Sequence, residues 1–284
     1  MPLLETSRLK FYYREQGQAD GLPMLLVHGS FGSSRWWEPF LALLPTEIHA
    51  IALDLRGCGQ SEKATSGYSI EEQAADLWAF VEAISWDEFD LVGHASGAAI
   101  AVEFTLQQRD WVNTLSLIDP APIEGIFTPL ESIMLLEQMK EDTALLRQAL
   151  ASLMPTFLAA ANPHDALFFE QLVADAQQMA PAAFTAVAES LSHWNRFADA
   201  QQLTLPTLLL WGDQDHLVAR DAMTRNLVAI PGANNLEVLR GVGHCPMIEA
   251  PLALAERIID FITEDYSEFD AVRNLAHEEN QENQ

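Results

Sequence analysis

Short apolar runs recur along the chain, each closing on glycine, histidine or aspartate. Residues 9–14 alternate as a strand does, and residues 17–21 read as a turn bounded by Gly17 and Gly21. Met24-Leu25-Leu26-Val27 is a continuous apolar run ending at His28-Gly29, the pattern of a buried strand followed by a loop. Residues 48–53, 90–92, 114–118, 207–210 and 236–239 repeat that pattern. They end at Asp54-Leu55-Arg56-Gly57-Cys58-Gly59, at Gly93, at Asp119-Pro120, at Trp211-Gly212-Asp213 and at Gly241-Val242-Gly243-His244. Between the runs the period changes. Ile70, Ala74, Leu77, Val81 and Ile84 fall on one helical face, with Ser69 and Glu72 placed as a capping box. Residues 96–108 are rich in small side chains, as in a helix packed close to a sheet, and residues 251–262 form a closing helix with proline at its start.

Strands alternating with helices predict an α/β fold: a mostly parallel, doubly wound sheet covered on both faces. In such a sheet, polar groups that do chemistry lie just past the carboxyl ends of the strands. Residues 123–202 break the alternation. Leu, Met, Phe and Ala recur there at helical spacing with no convincing strand, which predicts a helical cap inserted into the core. The expected organisation is a core of residues 1–122 and 203–265, a cap of residues 123–202, and an acidic, amide-rich tail of residues 266–284, partly disordered.

With 284 residues, 49% of them hydrophobic, the chain can bury one large core with an insertion. The formal charge is −26, from 41 acidic and 15 basic residues, which gives solubility and repels phosphate backbones and anionic lipid. No basic cluster offsets it, so no nucleic acid is expected as a partner. Two cysteines, Cys58 and Cys245, make no disulfide framework. The start lacks a basic segment followed by an apolar run, and no apolar stretch approaches a membrane span. The expectation is a cytoplasmic protein with no membrane insertion.

The candidate chemistry centres on Leu91-Val92-Gly93-His94-Ala95-Ser96-Gly97-Ala98. In a strand-to-helix elbow the middle residue is strained and pushed above the sheet, and small residues two before and two after let backbones approach. Gly93 and Gly97 meet that need around position 95. The usual occupant is serine; here it is alanine. Asp215 follows the strand at 207–210 and His244 the one at 236–239, in the order nucleophile, acid, base. Histidine would take the nucleophile's proton while the carboxylate fixes its tautomer. Backbone N–H groups of Ser30 or Phe31 and of Ser96 are placed to form an oxyanion hole, which needs no side chain at position 95.

The quoted segments, with His28-Gly29 and Gln60-Ser61, resemble the α/β-hydrolase superfamily of the capped, single-chain type from about residue 9 to 262. The resemblance implies a Ser-His-Asp triad, an oxyanion hole, no metal or other cofactor, and a substrate chamber under the cap. Ala95 is the departure. Three explanations present themselves: a Ser-to-Ala change made to trap a ligand, a natural non-catalytic relative that binds a small molecule or a partner, or attack moved to Ser96. The activity implied is hydrolysis of an uncharged, partly hydrophobic carboxylic ester, thioester or lactone. A carbon–carbon bond hydrolase would use the same set. An epoxide hydrolase or dehalogenase would need aspartate at position 95, and Tyr12, Tyr13, Tyr68 and Tyr266 all lie outside the cap.

Other residues compete for roles. Asp213 rivals Asp215 as the acid, and Asp119 is a further alternative; without that role it is a turn residue before Pro120. His94 reads as packing. Neither cysteine is placed as a nucleophile, and Arg56 reads as a tie between loops. Trp36, Trp37, Met134 and Phe157 are candidates for the pocket wall.

Overall fold

The computed structural model describes residues 3–159 and 162–264. The expected acidic tail lies outside them. In chain order the elements are β1 (Leu3–Glu5), β2 (Lys10–Gln16), β3 (Leu22–Val27), α1 (Glu38–Leu41), β4 (Ile48–Leu53), α2 (Ile70–Ile84), β5 (Phe89–His94), α3 (Ser96–Gln107) and β6 (Val112–Ile118). The helices α4 (Leu130–Met139), α5 (Thr143–Leu153), α6 (Pro155–Ala159), α7 (Pro163–Gln177) and α8 (Ala183–Leu191) follow as the cap. The core resumes with β7 (Thr207–Gly212), α9 (Arg220–Ala229), β8 (Ala233–Leu239), α10 (Pro246–Glu249) and α11 (Pro251–Thr263).

The eight described strands form one sheet in the order β1-β2-β4-β3-β5-β6-β7-β8. β1 and β2 pair antiparallel, as do β2 and β4, and every later pairing is parallel. Strands β4, β5 and β7 are buried at every position, which explains their largely apolar sequences: a strand covered on both faces has no polar side to show. Helix α2 packs on α3, and α1 packs on α10 and α11.

Register decides where chemistry can occur. Val27 pairs with Gly93, His94 with Ile118, Ile118 with Leu210, and Gly212 with Leu239. The strand ends therefore fall in one row, and the loops carrying His28, Ala95, Asp119, Asp215 and His244 leave from the same edge. From β3 the chain moves to β4 on one side, then returns to β5 on the other. That reversal opens the crevice at which ligands bind in such sheets.

The elements expected from periodicity are present, several with longer ends. Two are additional. The three-residue β1 is too short for a period, and α9, with Arg220, Asp221, Thr224, Arg225 and Asn226, has too few apolar positions to outline a face.

Candidate active site

The turn between β5 and α3 is built around residue 95. Ala95 has φ 52° and ψ −118°, a conformation that side chains with a Cβ rarely adopt. Its N–H donates to the Ile118 carbonyl at 3.0 Å, and its carbonyl accepts from Ala98 N at 3.1 Å and Ala121 N at 3.2 Å. The end of β6 thus grips the strained residue from both sides. The flanking glycines are sterically required: a Cβ on Gly93 would come within 2.7 Å of the Ala98 Cα, and one on Gly97 within 2.4 Å of the His28 carbonyl oxygen.

Asp215 and His244 arrive from neighbouring strand ends. The Asp215 Oδ1 accepts from the N–H groups of Leu217 at 2.7 Å and Val218 at 3.1 Å. Its Oδ2 accepts from His244 Nδ1 at 2.8 Å. Burial alone would raise the Asp215 pKa, but the His244 hydrogen bond and charge and the two backbone donors outweigh it and hold it below the ordinary value. With Nδ1 carrying the proton, Nε2 keeps the free lone pair, and the His244 ring lines the same cavity as Ala95. Asp213, the rival acid, lies elsewhere: its Oδ1 accepts from Gly241 N at 2.6 Å and steadies the loop after β8.

The base loop is fastened from three directions. His94 Nε2 donates to the His244 carbonyl at 2.7 Å, and the two rings sit 4.8 Å apart. Burial, then the neighbouring His244, lowers the His94 pKa to about 3, so this ring is neutral. His244 N donates to the Leu153 carbonyl in the cap at 3.0 Å. The Glu249 carboxylate accepts from Cys245 N on the base loop and from Thr156 N in α6, both at 3.1 Å.

The loop after β3 supplies the opposite wall. His28 Nε2 accepts from Leu55 N at 3.0 Å, which leaves Nδ1–H to donate to the Gly29 carbonyl at 2.8 Å. The buried ring thereby pins the loop. Phe31 follows with φ 64°, and the Ser30 and Ser96 hydroxyls meet at 2.9 Å. Ser96 opens α3, so its N–H belongs to the first turn, where no helical acceptor exists.

Ala95, His244, Ser30, Phe31 and Ser96 all line one cavity of about 410 Å³ beneath the cap. Its walls include Trp36, Leu136, Met139, Leu150, Phe184 and Val218, and among the described residues no Asp, Glu, Lys or Arg lines it. Trp36 is where the sequence placed it, but three expected wall residues lie elsewhere. Trp37 is fully buried in the protein body against Phe40, with ring centroids 5.7 Å apart. Met134 points outward from α4 and is 55% exposed. Phe157 packs on Phe168 between α6 and α7 at 6.1 Å. Met139 on α4 faces the cavity instead. Leu217 and Val218 also line it; they come two and three residues after Asp215, and their N–H groups bind its carboxylate, so motif position alone could have found them.

Both cysteines are buried, and burial raises the Cys58 thiol pKa to about 12 and that of Cys245 well above its usual value, so neither supplies a thiolate. Arg56 binds Asp76 on α2 through Nε at 2.7 Å and Nη2 at 2.6 Å, and the Ser66 carbonyl at 3.1 Å, so it ties its loop to helix α2 as well as to a second loop.

Residues 23–251 match the family described as the alpha/beta hydrolase fold. The chain belongs to that family. Among its curated relatives, monoacylglycerol lipase abhd6-B of Xenopus laevis is 26% identical, over 89% of this chain and 79% of that protein. Lipase 1 of Psychrobacter immobilis is 28% identical, over 85% of this chain and 77% of its own length. Among solved structures, the enol-lactonase of Burkholderia xenovorans LB400 superposes with a TM-score of 0.81 at 17% identity, covering 93% of this chain and 100% of that one. This α/β-hydrolase thus shares its fold with proteins named as lipases and lactonases. No described helix is long and apolar enough to cross a membrane.

Proposed function

We propose that this site is a serine-hydrolase centre for uncharged, partly hydrophobic carboxylic esters, thioesters or lactones, held in an inactive form by Ala95. The observation that carries the reading is the His244–Asp215 pair, joined at 2.8 Å and opening with Ala95 onto an uncharged, mostly apolar cavity. With serine at position 95, the hydroxyl oxygen attacks the carbonyl carbon and its proton passes to His244 Nε2. Asp215 stabilises the imidazolium, and the N–H groups of Ser96 and of Ser30 or Phe31 hold the oxyanion. His244 returns the proton to the leaving group, its oxygen in an ester or lactone and its sulfur in a thioester. Water, deprotonated by the same nitrogen, then releases the acid.

Alanine removes both the attacking oxygen and its proton. Loss of a triad nucleophile costs about a million-fold in turnover, while the oxyanion hole and the cavity keep their affinity for substrate. The Ser96 hydroxyl is a poor substitute, because it starts the helix and is engaged with the Ser30 hydroxyl. The deciding experiment is Ala95→Ser, assayed with short and medium acyl esters and a serine-reactive phosphonate. Restored hydrolysis with labelling at position 95 is expected. A folded, soluble revertant showing neither would remove the reading. It would favour a second one that Ala95 itself supports: a hydrolase-like fold that holds an apolar small molecule without turning it over.

A further inference from the structure

Asp119 stands beside the acid–base pair, and the mechanism above leaves it unused. It is fully buried and takes φ 42°, in the left-handed region. Its N–H donates to the Leu210 carbonyl at 2.9 Å, and its Oδ1 accepts from Gly212 N at 2.9 Å. Its Oδ2 is buried and meets no donor among the described residues. Oxygens of Asp119 and Asp215 and a ring nitrogen of His244 lie within 4.8 Å of one another. A strained backbone, a buried carboxyl and an oxygen with no donor beside a second carboxyl therefore coincide at one residue.

Two adjacent buried carboxylates cannot both stay ionised at modest cost; one proton between them resolves the repulsion. Asp215 already holds two backbone donors and His244, so its charge is provided for. Asp119 has a single donor and a free oxygen, which suits the neutral acid. We propose that Asp119 is a positioning residue that stays protonated and donates its Oδ2 hydrogen to the Asp215 carboxylate, keeping that carboxylate aimed at His244. Burial and the Asp215 charge raise the Asp119 pKa well above its ordinary value, in agreement. The groups that face it are Asp215 after β7, His244 and Cys245 after β8, and Glu249 on α10, whose negative charge acts in the same direction.

The catalytic consequence rests on the triad reading, but the proton can be tested without it. In the Ala95 protein, denaturant unfolding of the parent and of Asp119→Asn is compared from about pH 5 to 9, above the ordinary aspartate pKa of about 4. An acid with a raised folded pKa keeps its proton in the fold at a pH where the unfolded chain has lost it. The parent therefore loses stability as pH rises toward that folded pKa, and asparagine does not. The folding equilibrium constant of the variant should gain on the parent by up to about tenfold per pH unit, until the folded acid ionises. A gap that stays constant across the range overturns the proposal. In the Ala95→Ser revertant, Asp119→Leu should lower kcat about ten- to a hundredfold with KM little changed, and asparagine, which can donate in the same place, should recover most of it. A leucine variant as fast as its parent also overturns the proposal. An inert Ala95→Ser revertant sinks the hydrolase reading alone, because the pH-dependent gap does not depend on turnover.

Discussion

At position 95 the backbone carries a conformation suited to glycine, while the side chain is a methyl group facing a cavity. A non-glycine residue in such a region costs about 1–3 kcal/mol, partly offset by the greater freedom glycine has when unfolded. Ala95→Gly should therefore stabilise the protein by about 1 kcal/mol in denaturant unfolding. A loss of stability would show that the grip of Ile118 and Ala121 relieves the strain by itself. This residue, with Asp215 and His244, was legible because its role is positional: each follows a strand end, and strand ends can be read from apolar runs. The pocket wall was not legible to the same degree. Met134 and Met139 share helix α4, yet only the second faces inward, and the rotation of a cap helix is set by its neighbours, not by its own residues. Asp119 could be placed at its strand end, but nothing in the residue order says that one of its oxygens would find no donor.

Among the elements, helix α2 follows its sequence most closely. Ser69 accepts from Glu72 N at 3.2 Å, Glu71 and Glu72 lie in the first turn where negative charge is favoured, and Ser85 closes the helix in a left-handed conformation. Ser69→Ala should cost about 1 kcal/mol, read as a lower denaturation midpoint with unchanged slope. An undiminished midpoint would mean that another contact holds this terminus, and the Ser190 hydroxyl, which accepts from Ile70 N at 3.0 Å, is the nearest candidate. That bond also ties α2 to the cap. Elements whose burial repeats with their own period were visible in advance. The edge strand β1 and the polar helix α9 were not, because the contacts that form them lie in the neighbouring chain segments.

Across the whole molecule, cap and core are stitched by polar ties that are buried or partly buried. Glu103 on α3 accepts from Trp194 Nε1 at 3.0 Å and Arg196 Nε at 2.7 Å, just after the last cap helix, and Glu249 joins α6 to the base loop. Charge is distributed unevenly between inside and outside: a molecule of formal charge −26 encloses a chamber that, among the described residues, no Asp, Glu, Lys or Arg lines. Hydrolysing an ester creates an anion where a neutral group stood. In the proposed reaction that carboxylate would find no lysine or arginine among the described wall residues and an acidic exterior around it, so its departure would be favoured at both short and long range. Measured on the Ala95 protein by calorimetry, a fatty carboxylate should bind at least about tenfold more weakly than the primary amide of the same chain. Equal affinities would mean that the chamber tolerates charge. A weaker carboxylate would mean that the vessel is shaped to clear itself, emptying by the very polarity that the proposed reaction generates.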